Sequence, residues 1–134
     1  MEVVITEWSL QCYLDLVKRA IFSRADYWNI VRPDVELLKD YDSKPSPKFG
    51  QAKFWGPATD RTGNVIPAGW KMKWHNLGPG SVQLRLTVAL LGNDAYLCDA
   101  YVKDKAATDH RYCAKLKRRI NLIKLGQYHY RGKL

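Results

Sequence analysis

The sequence is short of the side chains that hold metals and disulfides. Its 134 residues include only three cysteines and three histidines. Cys12, Cys98 and Cys113 are odd in number and lack the CxxC spacing of zinc and redox sites, so we predict no metal, no other cofactor and no disulfide framework. Each cysteine lies in an apolar segment, which is typical of small buried side chains in a reducing cytosol. We therefore expect a cytoplasmic protein.

Long apolar runs and common nucleotide-binding or nucleophile motifs are also missing. No run approaches the ~20 residues of a membrane-spanning helix, and no lipidation motif is visible. The opening "MEVVITEW" is typical of a strand and not of a signal peptide. A P-loop, a GxGxxG turn and a nucleophile elbow are absent. Membrane binding is therefore the least favoured function.

Positive charge is abundant, and one half of the chain holds the whole excess. The formal net charge is +9. Residues 1–69 carry equal numbers of basic and acidic side chains, whereas residues 70–134 carry thirteen Lys and Arg against four Asp and Glu. Such a field attracts nucleic acid or an acidic protein. The length and the 46% hydrophobic content favour one compact domain.

The apolar pattern of the first third predicts a strand followed by helices. The β-branched run 2–6 is typical of a strand. A helix over about 9–22 would begin at Ser9 as N-cap, and Pro33 predicts a break near Arg32 before a second helix over 33–42. The predicted buried positions are Leu10, Leu14, Val17 and Ile21 in the first helix, and Val35, Leu38 and Tyr41 in the second.

The rest of the chain predicts a long loop, a three-stranded meander and a helix. Residues 43–69 are dense in Gly and Pro, with at most a short strand at 51–55. Strict alternation predicts strands over 69–75, 81–91 and 95–102, joined by short turns, with one packed and one polar face. The final helix would begin at Thr108 or Asp109, stop at Gly126 and leave 127–134 as a basic tail. Its predicted buried stripe is Tyr112, Leu116, Ile120 and Ile123.

Several segments in this order resemble the RelE/ParE superfamily of bacterial toxins, most closely the HigB-like, phage-type members. The stretch "AYVKDKAATDHRYCAKLKRRI" (100–120) reproduces the spacing of a strand-loop-helix segment of those members through Lys103, Thr108, Lys117 and Arg118. "GWKMKWH" and "VQLRLTVAL" resemble two of their strands, and the first 16 residues resemble their opening strand and helix.

The resemblance implies a fold as well as a family. It implies one RelE-like toxin domain over 1–134, of the α+β class, with the N-terminal strand and helices packed on a curved antiparallel sheet and a C-terminal helix. The 43–69 loop is longer than the family usually has, and the tail beyond Ile120 is extra.

The resemblance also implies the toxin of a type II toxin-antitoxin system, which cleaves mRNA on the ribosome without a metal and inhibits translation. Its implied partners are a cognate antitoxin, mRNA and ribosomal RNA. Cleavage requires a base for the 2′-hydroxyl, cations around the phosphorane and an acid for the leaving oxygen. The candidate catalytic residues are Lys71, Lys73, His75, Arg85 and Lys103. The candidate RNA-binding residues are Lys105, Arg111, Lys115, Arg118 and Arg119.

The roles within this set stay open at the level of sequence. Lys71 and Lys73 match two strand lysines of the family and share a face with His75 by alternation, so a lysine of lowered pKa and His75 are both candidate bases. Arg85 matches a strand arginine that would clamp the phosphate with two parallel hydrogen bonds. By strand alternation, Lys103 would lie on the same face as Tyr101 and as Asp99, which is a further candidate base.

Two other functions fit the same sequence. A ParE-like inhibitor of DNA gyrase would share the superfamily fold, because a fold does not determine function. A phage or plasmid regulator that binds nucleic acid without turnover would use the positive field alone.

Overall fold

Six strands and four α-helices make up the chain, and the computed structural model describes all of residues 1–134. The strands are β1 (Glu2–Thr6), β2 (Trp55–Thr59), β3 (Val65–Leu77), β4 (Val82–Leu91), β5 (Asp94–Val102) and β6 (Tyr130–Lys133). The helices are α1 (Glu7–Lys18), α2 (Arg24–Asp26), α3 (Arg32–Glu36) and α4 (Ala106–Lys124). A π-helical turn (Tyr27–Val31) joins α2 to α3, and 3₁₀ turns cover Leu37–Asp40 and Pro47–Gly50.

The strands form one open, mostly antiparallel sheet in the order β2-β3-β4-β5-β1-β6. The predicted meander is present as β3, β4 and β5, joined by short turns. The exception to antiparallel pairing is β1, which lies parallel to β5 with Val3 opposite Ala95. The domain is therefore a small single α+β unit with helices on both faces of its sheet.

Both faces of the sheet are buried, which corrects the expectation of one polar face. Under α1, α3 and the π-helical turn lies the larger core, which includes Val3, Leu16, Met72, Trp74 and Leu86. Under α4 lies a smaller core around Cys113, Leu116 and Ile120. The helix α4 covers polar positions that alternation had placed in solvent, because its apolar side must also be removed from water. Arg85, Thr87, Asp99 and Tyr101 are consequently buried.

The apolar stripe of the first helix faces solvent, contrary to the prediction. The helix α1 begins at Glu7, capped by Thr6, whose side chain accepts from the Ser9 backbone while the Ser9 hydroxyl accepts from the Thr6 backbone. Ser9 and Leu16 are the buried residues of this helix. Leu10, Leu14 and Val17 are 37%, 51% and 46% exposed. The spacing of these apolar residues correctly predicted a helix. Spacing does not determine which side of the helix packs against the sheet.

The predicted break near Arg32 is also wrong, since the chain stays helical from Arg24 to Asp40. A π-helical turn precedes Pro33, and the Arg32 backbone N–H donates to the Tyr27 carbonyl five residues back. Widening the helix there makes room for the proline ring, which would otherwise clash with the preceding turn. Val35 and Leu38 are buried as predicted.

Residues 43–69 are more ordered than a loop. The strand in this segment is β2 at Trp55–Thr59 and not at 51–55, and β3 begins at Val65. Pro57 is tolerated in β2 because that strand lies at the edge of the sheet. This segment therefore extends the sheet beside β3.

The C-terminal segment differs from the prediction at both ends. The helix α4 begins at Ala106, with Lys105 at its N-cap position, because Thr108 and Asp109 hydrogen-bond elsewhere. The predicted tail contains β6, whose Tyr130 pairs with Thr6 of β1. The sheet thus ends at β6 and not at β1.

Candidate nucleic-acid interface

Four cations gather on the sheet face that α4 partly covers. Lys73 on β3 lies opposite Arg85 on β4, which lies opposite Tyr101 on β5. Lys71 is two residues before Lys73, and the Lys103 backbone N–H donates to the Gln83 carbonyl at 2.8 Å. We call Lys71, Lys73, Arg85 and Lys103 the cationic row. The structure therefore brings together all four basic residues that the sequence proposed for phosphate contact.

The first turn of α4 adds a carboxylate to the cationic row. Asp109 accepts from Lys71 Nζ at 2.7 Å and from the Tyr101 hydroxyl. The side chains of Lys71 and Asp109 are only 12% and 13% exposed. Burial raises the pKa of Asp109, but the hydrogen bonds from Lys71 and Tyr101 outweigh burial and hold it below its usual value. Lys71 is therefore neutralised by an ion pair and is not a free cation.

Lys73 and His75 are tied to the segment before β2. Lys73 Nζ donates to the Ala52 carbonyl at 2.9 Å, and His75 Nε2 lies 2.8 Å from the Lys53 carbonyl. A carbonyl only accepts, so Nε2 carries the proton and Nδ1 of the exposed imidazole is left as an acceptor. Burial lowers the pKa of Lys73, and the charges of Lys71 and Arg85 lower it further.

Arg85 is buried, which corrects the expectation of an exposed clamp. It is 4% exposed, and its Nη1 donates to the carbonyls of Trp74 and Leu84 at 3.3 and 3.2 Å. Its Nη2 donates to Gln83 Oε1 at 2.9 Å. No carboxylate forms a salt bridge with this guanidinium, and its hydrogen bonds within the chain come from Nη1 and Nη2 and not from Nε. Burial lowers the pKa of Arg85, and it outweighs the nearby Tyr101 and Asp109, which act in the opposite direction.

The predicted RNA-binding residues divide into two groups. Lys105, Arg111 and Arg118 are exposed, and Lys115 is half-buried with its Nζ 4.8 Å from the centre of the Tyr112 ring. Arg119 instead pairs with buried Asp99 at 3.2 Å and lies over the Trp8 ring at 4.5 Å. Arg119 therefore joins α4 to α1 and β5, and its charge is paired with that of Asp99. Asp99, considered as a base, is buried in the same contact.

Sequence reasoning missed Tyr101 and Asp109 as members of the site. Tyr101 stacks on Tyr112 with ring centres 4.1 Å apart, and burial together with the hydrogen bond to Asp109 raises its pKa. Strand alternation had placed Tyr101 on the same face as Lys103, which is the face of the cationic row. Asp109 carried only the signal of a helix cap, because contact between α4 and β3 is a tertiary feature.

The arrangement can hold an anion. The cationic row has one carboxylate among four cations, and Arg85 and Lys103 form no ion pair.

No group of three or more His, Cys, Asp or Glu side chains is arranged to hold a metal ion. None of the helices is both long and apolar enough to cross a membrane. Comparison of the chain with protein-family models, with curated proteins and with solved structures found no match in any of the three.

Proposed function

We propose that this chain is an endoribonuclease that cleaves mRNA on the ribosome, acting as a RelE-like toxin. The observation that carries the proposal is the cationic row, in which the buried Arg85 guanidinium forms no salt bridge with a carboxylate. A phosphodiester supplies the missing negative charge, and more of it develops in the pentacovalent transition state, where preorganised cations stabilise it most.

The residues of the site suit a cleavage in which the 2′-hydroxyl attacks the adjacent phosphate. His75 Nδ1 takes the proton from the 2′-hydroxyl, since Nε2 is committed to the Lys53 carbonyl. Arg85 Nε and Lys103 contact the phosphorane oxygens. Lys73, whose pKa is lowered, donates a proton to the leaving 5′-oxygen more readily than an ordinary lysine. The bond from phosphorus to the 5′-oxygen breaks, leaving a 2′,3′-cyclic phosphate.

The order of helices and strands supports the proposal that the chain is a RelE-like toxin. The chain contains the order β-α-α-β-β-β-α that accompanied the RelE/ParE resemblance, with β2 and β6 added at the two edges of the sheet. On that resemblance we assign a cytoplasmic location and three partners, namely mRNA, the ribosome and a cognate antitoxin.

The test is in vivo mapping of mRNA ends by primer extension after induction, with cleavage of ribosome-bound message by purified protein. We expect Lys73→Ala and Lys103→Ala each to reduce cleavage and growth inhibition by about 10²-fold or more, the size typical of a lost catalytic donor. Lys124→Ala is the matched control, because this exposed lysine ends α4 and forms no ion pair.

Arg85→Ala is a poor sole test because it removes three hydrogen bonds from the sheet. Its folding must be checked by thermal unfolding before its activity is interpreted. Unchanged cleavage in Lys73→Ala and Lys103→Ala contradicts the reaction. If the wild-type protein binds RNA without cutting it, the protein is not a ribonuclease. If it inhibits purified gyrase and cleaves no RNA, its target is gyrase and not mRNA.

A further inference from the structure

An open apolar cavity lies between the sheet and the N-terminal helices, on the sheet face opposite the cationic row. Trp74 of β3, Leu84 of β4 and Ala100 of β5 line it from the sheet, and Tyr13 of α1 lines it from the helices. The cavity has a volume of about 190 Å³, and fourteen of its sixteen lining residues are hydrophobic. Apolar cavities of roughly 150 Å³ remain dry and admit a benzene ring. This cavity therefore has room for a guest somewhat larger than benzene.

The two lining residues that are not hydrophobic, Ser9 and Arg32, are already engaged within the chain. The Ser9 hydroxyl donates to the Thr6 carbonyl at 3.0 Å. The half-buried Arg32 side chain donates from Nε to Glu36 Oε1 at 2.8 Å, so the one charged side chain at the cavity is paired. A charged guest would lose its hydration without gaining a partner ion. The lining therefore favours an uncharged guest.

Aromatic rings line the cavity from the helical side. The ring centre of Tyr13 lies 4.8 Å from that of Tyr27 and 6.3 Å from that of Phe22. Aromatic rings prefer offset or edge-to-face contacts with one another at such separations, so a planar ring in the cavity would extend this cluster. Tyr27 and Val31 also belong to the π-helical turn, a rare feature that occurs frequently at functional sites. The helical side therefore favours a planar aromatic guest over a branched aliphatic one.

We propose that this cavity binds a small uncharged aromatic molecule, of one ring or two fused rings, between the sheet and α1. Burial of the apolar surface of the molecule supplies the affinity, and contacts with Tyr13, Phe22 and Tyr27 orient its ring. Leu10 lines the cavity and is 37% exposed, so solvent and guest reach the cavity beside it. The site lies on the sheet face away from the cationic row and does not rest on the proposed function.

The test is a titration of the purified full chain with indole as the probe, followed by NMR of ¹³C-labelled methyl groups. Leu84, Leu86 and Leu97 line the cavity, whereas Leu125 is 69% exposed after α4 and serves as the internal reference. We expect ring-current shifts at the lining methyl groups, an unchanged Leu125, and saturation at one indole per chain with a Kd below about 1 mM. Benzoate, which adds a negative charge to one ring, should bind more weakly than indole by about tenfold or more.

A pair of matched variants locates the binding. Ala100→Leu puts a larger side chain into the cavity, since Ala100 packs against the core on this face, and should weaken indole binding by about tenfold or more. Ala114→Leu makes the same change on the exposed side of α4 and should alter binding less than about twofold. Thermal unfolding checks that both variants fold. The methyl shifts of the wild type test the proposal without either variant.

Three results would overturn the proposal: no shift of the lining methyl groups at about 1 mM indole, benzoate binding as tight as that of indole, or unchanged indole binding in folded Ala100→Leu. A dimer that indole dissociates in sedimentation velocity would identify a second copy of the chain as the occupant, which also overturns it. The presence or absence of RNA cleavage has no bearing on these results.

Discussion

At the scale of single residues, the four cations of the cationic row differ in how available they are. Lys71 is held by Asp109, Lys73 donates to a carbonyl, and Arg85 supports two strands from inside the sheet. Equal formal charges therefore make unequal contributions to anion binding. Lys103, half-buried at the end of β5 and without an ion pair, is the most available of the four.

The ion pair between Lys71 and Asp109 makes the free energy of unfolding depend on pH in the acid range. The folded-state pKa of Asp109 lies below its unfolded value of 3.8, so its contribution is present above that value and is lost as the pH falls through the lowered pKa. We expect Asp109→Asn to lower the free energy of unfolding by about 3 kcal/mol at pH 7, because Lys71 is left buried and unpaired. The loss relative to wild type should shrink toward pH 3. Urea unfolding at the two pH values measures both quantities.

Asp40→Asn is the control for this prediction, since Asp40 is exposed and forms no ion pair. It should change stability by less than about 0.5 kcal/mol at either pH. A loss in Asp109→Asn that stays constant between pH 7 and pH 3 would show that the carboxylate charge is not responsible.

At the scale of elements, the turn between β3 and β4 lies directly against the end of the first helical region. Gly78 has φ +72°, and a Cβ at this position would lie 2.2 Å from the Ile21 carbonyl oxygen. Both the left-handed backbone and the close approach require glycine here. This contact links the stripe-bearing α1 region to the strand that carries Lys71 and Lys73.

We expect Gly78→Ala to lower the free energy of unfolding by more than about 2 kcal/mol, because strain and a clash with backbone add together. Gly92→Ala is the matched change, since Gly92 has φ +60° but nothing within 4 Å of its Cβ position. It should cost only about 1 kcal/mol of backbone strain. Thermal or urea unfolding compares the two, and equal losses would rule out the contact with Ile21.

The elements also show why sequence reasoning succeeded and failed. Strands β3, β4 and β5 were predictable because alternation and short turns are local signals. The exposure of Leu14 and the burial of Arg85 were not, since each depends on which element packs against which face. The start of α4 was misplaced because Thr108 and Asp109 are good caps whose side chains bond to Asp104, Lys71 and Tyr101 instead.

At the scale of the whole molecule, the +9 charge and the geometry of the cationic row together predict how RNA binding responds to salt. If the three cations Lys73, Arg85 and Lys103 each contact a phosphate, log K for single-stranded RNA should fall with log salt at a slope of about −2 or steeper. Changing both Lys73 and Lys103 to Ala should make that slope shallower by about 1.4. Fluorescence anisotropy with labelled RNA measures both slopes.

Lys124→Ala removes one positive charge far along α4 and serves as the control for net charge. We expect its slope to match that of wild type. If Lys124→Ala and the double variant change the slope equally per charge removed, binding reflects net charge and not the cationic row.

Sequence patterns were enough to predict the meander, the alternation that places Lys71, Lys73 and Arg85, and the excess of positive charge in the second half. Each of these follows from local periodicity or from composition. Three other features arise only when the helices pack on the sheet: α4 covers the polar face, Asp109 neutralises Lys71, and Leu10, Leu14 and Val17 stay in solvent. Those outcomes depend on how elements far apart in the chain divide a limited sheet surface between them, and no local pattern encodes that division.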